Sequence, residues 1–95
     1  MTAGFTRPRP TLVRGPGFSV EELGRTGLRY VEGERVMLVD SEGLAVPSRI
    51  AVYRGSITAW QPPFAADPVG REDVTRIIDN IVNALGFCGY KIEVI

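Results

Sequence analysis

Residues 71–94 read Arg71-Glu72-Asp73-Val74-Thr75-Arg76-Ile77-Ile78-Asp79-Asn80-Ile81-Val82-Asn83-Ala84-Leu85-Gly86-Phe87-Cys88-Gly89-Tyr90-Lys91-Ile92-Glu93-Val94. Val74, Ile77, Ile78, Ile81, Val82 and Leu85 recur at the spacing that places side chains on one helical face. Arg71, Thr75, Arg76, Asp79 and Asn83 take the remaining surface. The pattern predicts one amphipathic helix over about residues 71–88. Gly70 suits the N-cap, and Glu72 and Asp73 complement the positive end of the helix. Val69 is placed to staple against Val74. Gly89 suits the position just past the end, where positive φ is tolerated. The alternation in Tyr90–Val94 then predicts a final strand.

Upstream of the helix, the residues favour strands and tight turns. Leu28–Glu32 and Arg35–Val39 are rich in strand formers, and Gly33-Glu34 between them suits a two-residue hairpin turn. Val36–Val39 is apolar at four consecutive positions, which predicts a strand covered on both faces. Asp40-Ser41-Glu42-Gly43 reads as a turn. Leu44-Ala45-Val46 reads as a short strand cut by Pro47. Residues Ser48–Trp60 read as a second hairpin, with arms Arg49–Arg54 and Ile57–Trp60 around Gly55-Ser56. Pro62-Pro63 ends the sheet region, because proline donates no ladder bond.

Nearer the N-terminus, Thr11–Arg14 suits a short strand broken by Gly15-Pro16-Gly17. Ser19–Leu23 suits a single helical turn capped by Ser19. Residues 1–10, with Arg7-Pro8-Arg9-Pro10, read as a flexible or extended proline/arginine leader. The expected organisation is that leader followed by a single α+β domain over residues 11–95. Its mainly antiparallel sheet has five or six short strands. The helix covers one face, packing on Val36, Leu38, Ile50, Val52 and Ile57.

Composition narrows the chemistry. The chain has 95 residues, eleven basic and eleven acidic, with no histidine and one cysteine. Hydrophobic residues make up 44% and charged residues 23%, as in an ordinary globular domain. Lack of histidine removes Ser–His, Cys–His and histidine-ligated metal chemistry. A single cysteine leaves no internal disulfide and no cysteine-based zinc site. The unpaired thiol suits a reducing cytoplasm, and Cys88 itself reads as a buried, inert thiol. No apolar run is long enough to span a membrane. The leader is mildly basic and the C-terminal third mildly acidic, a gradient too weak for a dedicated nucleic-acid binder. The carboxylate pairs Glu32/Glu34, Asp40/Glu42 and Glu72/Asp73 fall in turns or at a helix start, where acids are expected without catalysis. No phosphate loop or EF-hand spacing occurs. With no catalytic constellation in the residues, the expectation is a protein that is not an enzyme and uses no cofactor, metal or small-molecule substrate.

Three blocks carry a family resemblance. They are Gly27–Gly33, then Tyr53-Arg54-Gly55-Ser56-Ile57-Thr58-Ala59-Trp60-Gln61-Pro62-Pro63, and then Ile77–Ile81 followed by Gly89 and Ile92-Glu93-Val94. Over about residues 11–95 the chain resembles immunity protein family seventy-four of bacterial polymorphic toxin systems. Where family patterns often carry an acid between the tryptophan and the first proline, this chain has Gln61. The resemblance implies an α+β protein that binds and neutralises a cognate toxin encoded by an adjacent gene.

The candidate toxin-binding residues are Tyr30, Glu32, Glu42, Tyr53, Trp60 and Gln61. Trp60 has two readings: an interface anchor, since tryptophan buries large area at small entropy cost, or a plug at one end of the core. Two other functions stay open at this point. One is a nucleic-acid-associated or regulatory module using Arg7, Arg9 and Arg14. The other is a structural domain that self-associates through an exposed strand edge.

Overall fold

A computed structural model describes residues 4–44 and 48–95. The chain is α+β; among the described residues, seven strands lie side by side in chain order in one sheet. Strands β1 (Thr6–Arg9), β2 (Leu12–Gly15), β3 (Phe18–Glu22), β4 (Thr26–Glu32), β5 (Arg35–Gly43) and β6 (Arg49–Val52) form an antiparallel meander. Helix α1 (Arg71–Phe87) follows, and β7 (Lys91–Val94) pairs parallel with β6. A parallel pair needs a long crossover, and the segment carrying α1 supplies it.

The hairpin turns follow from their glycines. Glu32 pairs with Arg35, so Gly33-Glu34 is a two-residue loop, and Gly33 takes the positive φ of 58° that the turn requires. Pro16-Gly17 links β2 to β3, with Gly17 at a φ of 80° and Gly15 paired with Phe18. Ser19–Leu23 is therefore not a helical turn. Residues through Glu22 form β3, which pairs with β2 on one side and β4 on the other. Two ladders outweigh a single turn of helix, whose nucleation is unfavourable. Thr6–Arg9, expected as an extended leader, forms the edge strand β1 beside β2.

Two other departures share one cause. Asp40–Gly43 is not a turn, because β5 runs through Gly43 and pairs Ser41, Glu42 and Gly43 with β6. Among the described residues, that leaves the first half of β5 without a strand on that side. The chain after β6 supplies several of the missing partners. The Tyr53 amide donates to the Asp40 carbonyl (2.9 Å), the Asp40 amide donates to Ser56 Oγ (2.8 Å), and the Gln61 amide donates to the Val36 carbonyl (2.8 Å). Residues 57–60 thus form no second arm of a hairpin. They follow a short 3-10 turn at Arg54–Ser56 and lie along β5 as irregular chain. The Asp40 amide and the Val36 and Asp40 carbonyls thus find partners without another strand. The expected strand at residues 44–46 falls largely outside the described residues.

One face of the sheet carries the core. Val13, Val20, Tyr30 and Met37 form one row across β2–β5, and Leu28 and Val39 form part of the next. They pack with Ile50, Val52 and Ile57 against Ile77, Ile78, Ile81, Ala84 and Leu85 of α1. Each such side chain contributes roughly 1.5–3 kcal/mol by burial. Of the expected helix contacts, Ile50, Val52 and Ile57 lie in this core. Val36 and Leu38 do not. They alternate with Met37 and Val39 and point to the opposite face, where Leu38 is 50% exposed. The four-residue apolar run is thus one buried pair and one outward pair, so β5 is covered on one face only.

Candidate functional site

The sheet places the six candidate residues in two groups. The first lies where β4 meets the first half of α1. Tyr30 and Glu32 are two apart on β4 and so share the helix-facing side. Tyr30 is fully buried, with its ring stacked between Phe18 (centroids 6.0 Å) and Trp60 (6.4 Å). Its hydroxyl donates to Glu32 and accepts from Asn80 Nδ2 at 2.8 Å. Arg76 grips the Glu32 carboxylate with two nitrogens, at 2.9 and 3.1 Å, and donates to Asp73 Oδ1 at 2.8 Å. Asp73 in turn accepts from the Gly70 amide at 2.8 Å, anchoring the helix start. The chain of bonds runs from the helix cap to the buried tyrosine.

Electrostatics follow from these contacts. Burial, and then the hydrogen bond to Glu32, holds the Tyr30 phenol well above its usual range. The bonds to Glu32 and then Asp73 hold Arg76 firmly charged. The Gly70 amide, helped by Arg76, lowers the Asp73 carboxyl. A tyrosine locked protonated, an arginine locked charged and a carboxylate held by both make a structural latch between helix and sheet.

A shallow cleft opens beside the latch, lined by Glu32, Arg35, Trp60, Asp67, Asp73 and Arg76. Arg35 pairs with Asp67 at 2.7 Å and lies over the Phe64 ring, 4.8 Å from its centroid. Trp60 is only 5% exposed and belongs to the core. Of its two readings, the structure shows the plug. Tyr30 and Trp60 therefore offer no appreciable surface to a partner. Gln61, next to Trp60, is exposed.

The second group lies on the open face of the sheet. Glu42 on β5 is exposed, and Tyr53 just after β6 is half-buried. The Tyr53 hydroxyl donates to Glu42 Oε2 at 3.1 Å, and that bond raises the Tyr53 pKa. Even-numbered positions of β5 all face this way, so Val36, Leu38, Asp40 and Glu42 form one line. Leu38 pairs with Arg29 of β4, and Val36 with Val31. The result is an exposed apolar spot flanked by acids on one side and an arginine on the other.

Sequence reasoning did not single out Arg76, Asn80 or Leu38. Asp73, Arg76 and Asn80 do lie on one stripe of the helix by their spacing, which is the signal that was present. The leader arginines are engaged locally. Arg7 donates to the Pro10 carbonyl at 2.8 and 3.1 Å, and Arg9 pairs with Glu21 at 2.6 Å.

Cys88 sits at the end of α1 as a free, half-buried thiol, and burial raises its pKa. Among the described residues no three His, Cys, Asp or Glu side chains gather to hold a metal ion, and no helix is long and apolar enough to cross a membrane.

Neither a curated protein nor a solved structure matches the chain. The family model described as Immunity protein 74 matches residues 21–95, which include β4, β5, β6, α1 and β7 with both groups of candidate residues, and the chain belongs to that family.

Proposed function

We propose that this chain is a stoichiometric, non-catalytic inhibitor that binds and neutralises a bacterial toxin in the cytoplasm, the toxin being encoded by an adjacent gene. Family membership is the observation that carries this reading. The structure adds two supports. Its best-connected polar cluster is spent on joining helix to sheet. Its open sheet face carries an exposed apolar side chain, Leu38, together with charged groups and a tyrosine, the mix that contact surfaces use.

The contact surface in this reading centres on Leu38, Glu42 and Tyr53, with Gln61 and the outer edge of Glu32 at its margin. Asp40 and Glu42 would meet a basic region of the toxin, which speeds encounter and fixes orientation. Stable complexes bury about 1,200–2,000 Å² in total, and a few central residues carry most of the energy. An arginine at position 38 would leave an unpaired charge inside such a contact. It should weaken binding roughly 30-fold or more.

The test is co-expression with the product of the adjacent reading frame, scored by growth and by co-purification. Wild type should rescue growth and co-purify. Leu38→Arg and the pair Tyr53→Ala/Glu42→Ala should lose both while melting like wild type. Rescue by these folded variants at wild-type level would overturn the face. A wild-type chain that neither rescues nor co-purifies would overturn the inhibitor reading itself.

A further inference from the structure

The two edges of the sheet are built differently. Strand β1 carries Pro8 and is followed by Pro10, neither of which has an amide donor, so this edge resists pairing. Strand β7, Lys91-Ile92-Glu93-Val94, has no proline, and among the described residues no strand pairs its outer side. The Lys91 amide donates to the Ser48 carbonyl (2.7 Å) and the Ile95 amide to the Val52 carbonyl (2.9 Å). Backbone groups alternate sides along a strand. Ile92 and Val94 therefore point their N–H and C=O groups away from β6, at the open edge.

The side chains on that edge are self-complementary. Lys91 and Glu93 are exposed, two residues apart and on the same face, and neither forms an ion pair among the described residues. Val94 is 37% exposed and Ile95 64%. An antiparallel partner must place outward-pointing residues opposite outward-pointing residues, or the ladder cannot form. Three registers that meet this condition are centred on position 91, 92 or 93. Centring on 91 sets Lys91 against Lys91. Centring on 93 sets Glu93 against Glu93. Only the register centred on Ile92 puts Lys91 opposite Glu93, twice, with Tyr90 opposite Val94.

We propose that β7 is a homodimerisation edge: two copies of this chain pair antiparallel about a two-fold axis through Ile92, joining two seven-stranded sheets into one. Each Ile92 amide donates to the Ile92 carbonyl of the other copy, and each Val94 amide donates to the other Tyr90 carbonyl. The Tyr90 amide is already used by the Leu85 carbonyl at 3.1 Å, so four new backbone bonds form. Lys91 and Glu93 meet at the closely spaced, non-hydrogen-bonded positions, where cross-strand side chains interact most directly. The two-fold arrangement closes on itself, so it stops at a dimer.

Sedimentation equilibrium over a rising concentration series tests this without any toxin. The wild-type mass should move from 10.4 kDa towards twice that value. Lys91→Glu alone and Glu93→Lys alone should each remain monomeric, because each sets like charges opposite one another. An equimolar mixture of these two variants should form a heterodimer, and the double variant Lys91→Glu/Glu93→Lys should dimerise like wild type. Both positions are exposed, so the variants should melt like wild type. A wild-type mass that stays at one chain throughout would overturn the proposal. So would single variants that dimerise as well as wild type, or a charge swap that fails to restore the dimer.

Discussion

Two tyrosine–glutamate pairs in this fold share their chemistry and differ in burial, which makes Tyr30→Phe an informative change. The substitution leaves the ring in place between Phe18 and Trp60, at 6.0 and 6.4 Å, and removes only the hydroxyl. Two hydrogen bonds go with it. One runs to the ionised Glu32, a class worth about 1.5–3 kcal/mol, and the other comes from Asn80, worth about 0.5–1.5 kcal/mol. Glu32 keeps both bonds from Arg76, and Glu32 and Asn80 are only half-buried, so water recovers part of the loss. The net cost should be about 2–3 kcal/mol. A domain of this size holds roughly 5–14 kcal/mol, so the variant folds but melts lower. At about 4–8 °C per kcal/mol, Tm should fall by roughly 8–24 °C. Tyr53→Phe removes the same group from an exposed pair with Glu42, where water replaces it, and Tm should not move measurably. Thermal melts followed by circular dichroism, with urea titrations showing an unchanged slope, would measure both. The folded Tyr30 phenol titrates above its ordinary value of 10.0, so the hydroxyl's contribution is constant below 10.0 and is lost as pH rises from there through the folded value. The difference between wild type and Tyr30→Phe should therefore be the same at pH 6 and pH 8. Equal melting of wild type and Tyr30→Phe would refute the latch. Equal losses in the two tyrosine variants would show that burial is not what gives the Tyr30 hydroxyl its weight.

Two further outcomes follow from the core and its far end. Ile81→Asp places an unpaired carboxylate at a fully buried helix position, and the cooperative thermal transition should disappear; a wild-type melt would show that α1 does not pack as described. Burial raises the Glu22 carboxyl above its usual 4.5, opposed in part by Arg7. An acid with a raised folded pKa destabilises the fold once ionised, so that stability is full below 4.5 and is lost as pH rises through the folded value. Glu22→Gln should raise Tm at pH 7, and the gain should vanish below pH 4.5; a variant no more stable than wild type at pH 7 would show that water reaches this carboxylate.

The elements legible in the residues were those whose signal is local. Six apolar residues at helical spacing end beside two glycines, and α1 begins one residue after Gly70 and ends two before Gly89. Gly33 between two strand-forming runs fixed the β4–β5 hairpin. Residues 57–60 misled for the opposite reason. Ile57-Thr58-Ala59-Trp60 has strand-like composition, yet its course depends on how far β6 extends along β5. Because β6 stops after three pairs, the following chain must serve the open half of β5, and no local pattern encodes that length.

The same distinction separates the readable part of the site from the rest. Tyr30 and Glu32 share a face by strand alternation, and Asp73, Arg76 and Asn80 share one by helical spacing. Which strand end meets which helix end depends on the crossover that sets β7 beside β6. The Arg76–Glu32 contact joins residues 44 apart and exists only after that crossover is made. Trp60 shows how such a contact changes a reading. Taken alone, a tryptophan before two prolines suits an interface as well as a core. Once Tyr30 is held by Glu32 and Asn80, its ring forms a wall on which Trp60 stacks, and the tryptophan is drawn inward. Inward packing of Met37 and Val39 has the complementary effect on β5. It turns Leu38 to the open face, the side that also carries Glu42 and Tyr53. Packing on Tyr30 therefore buries the tryptophan, and alternation along β5 exposes a leucine expected in the core, which is why the proposed contact surface centres on Leu38.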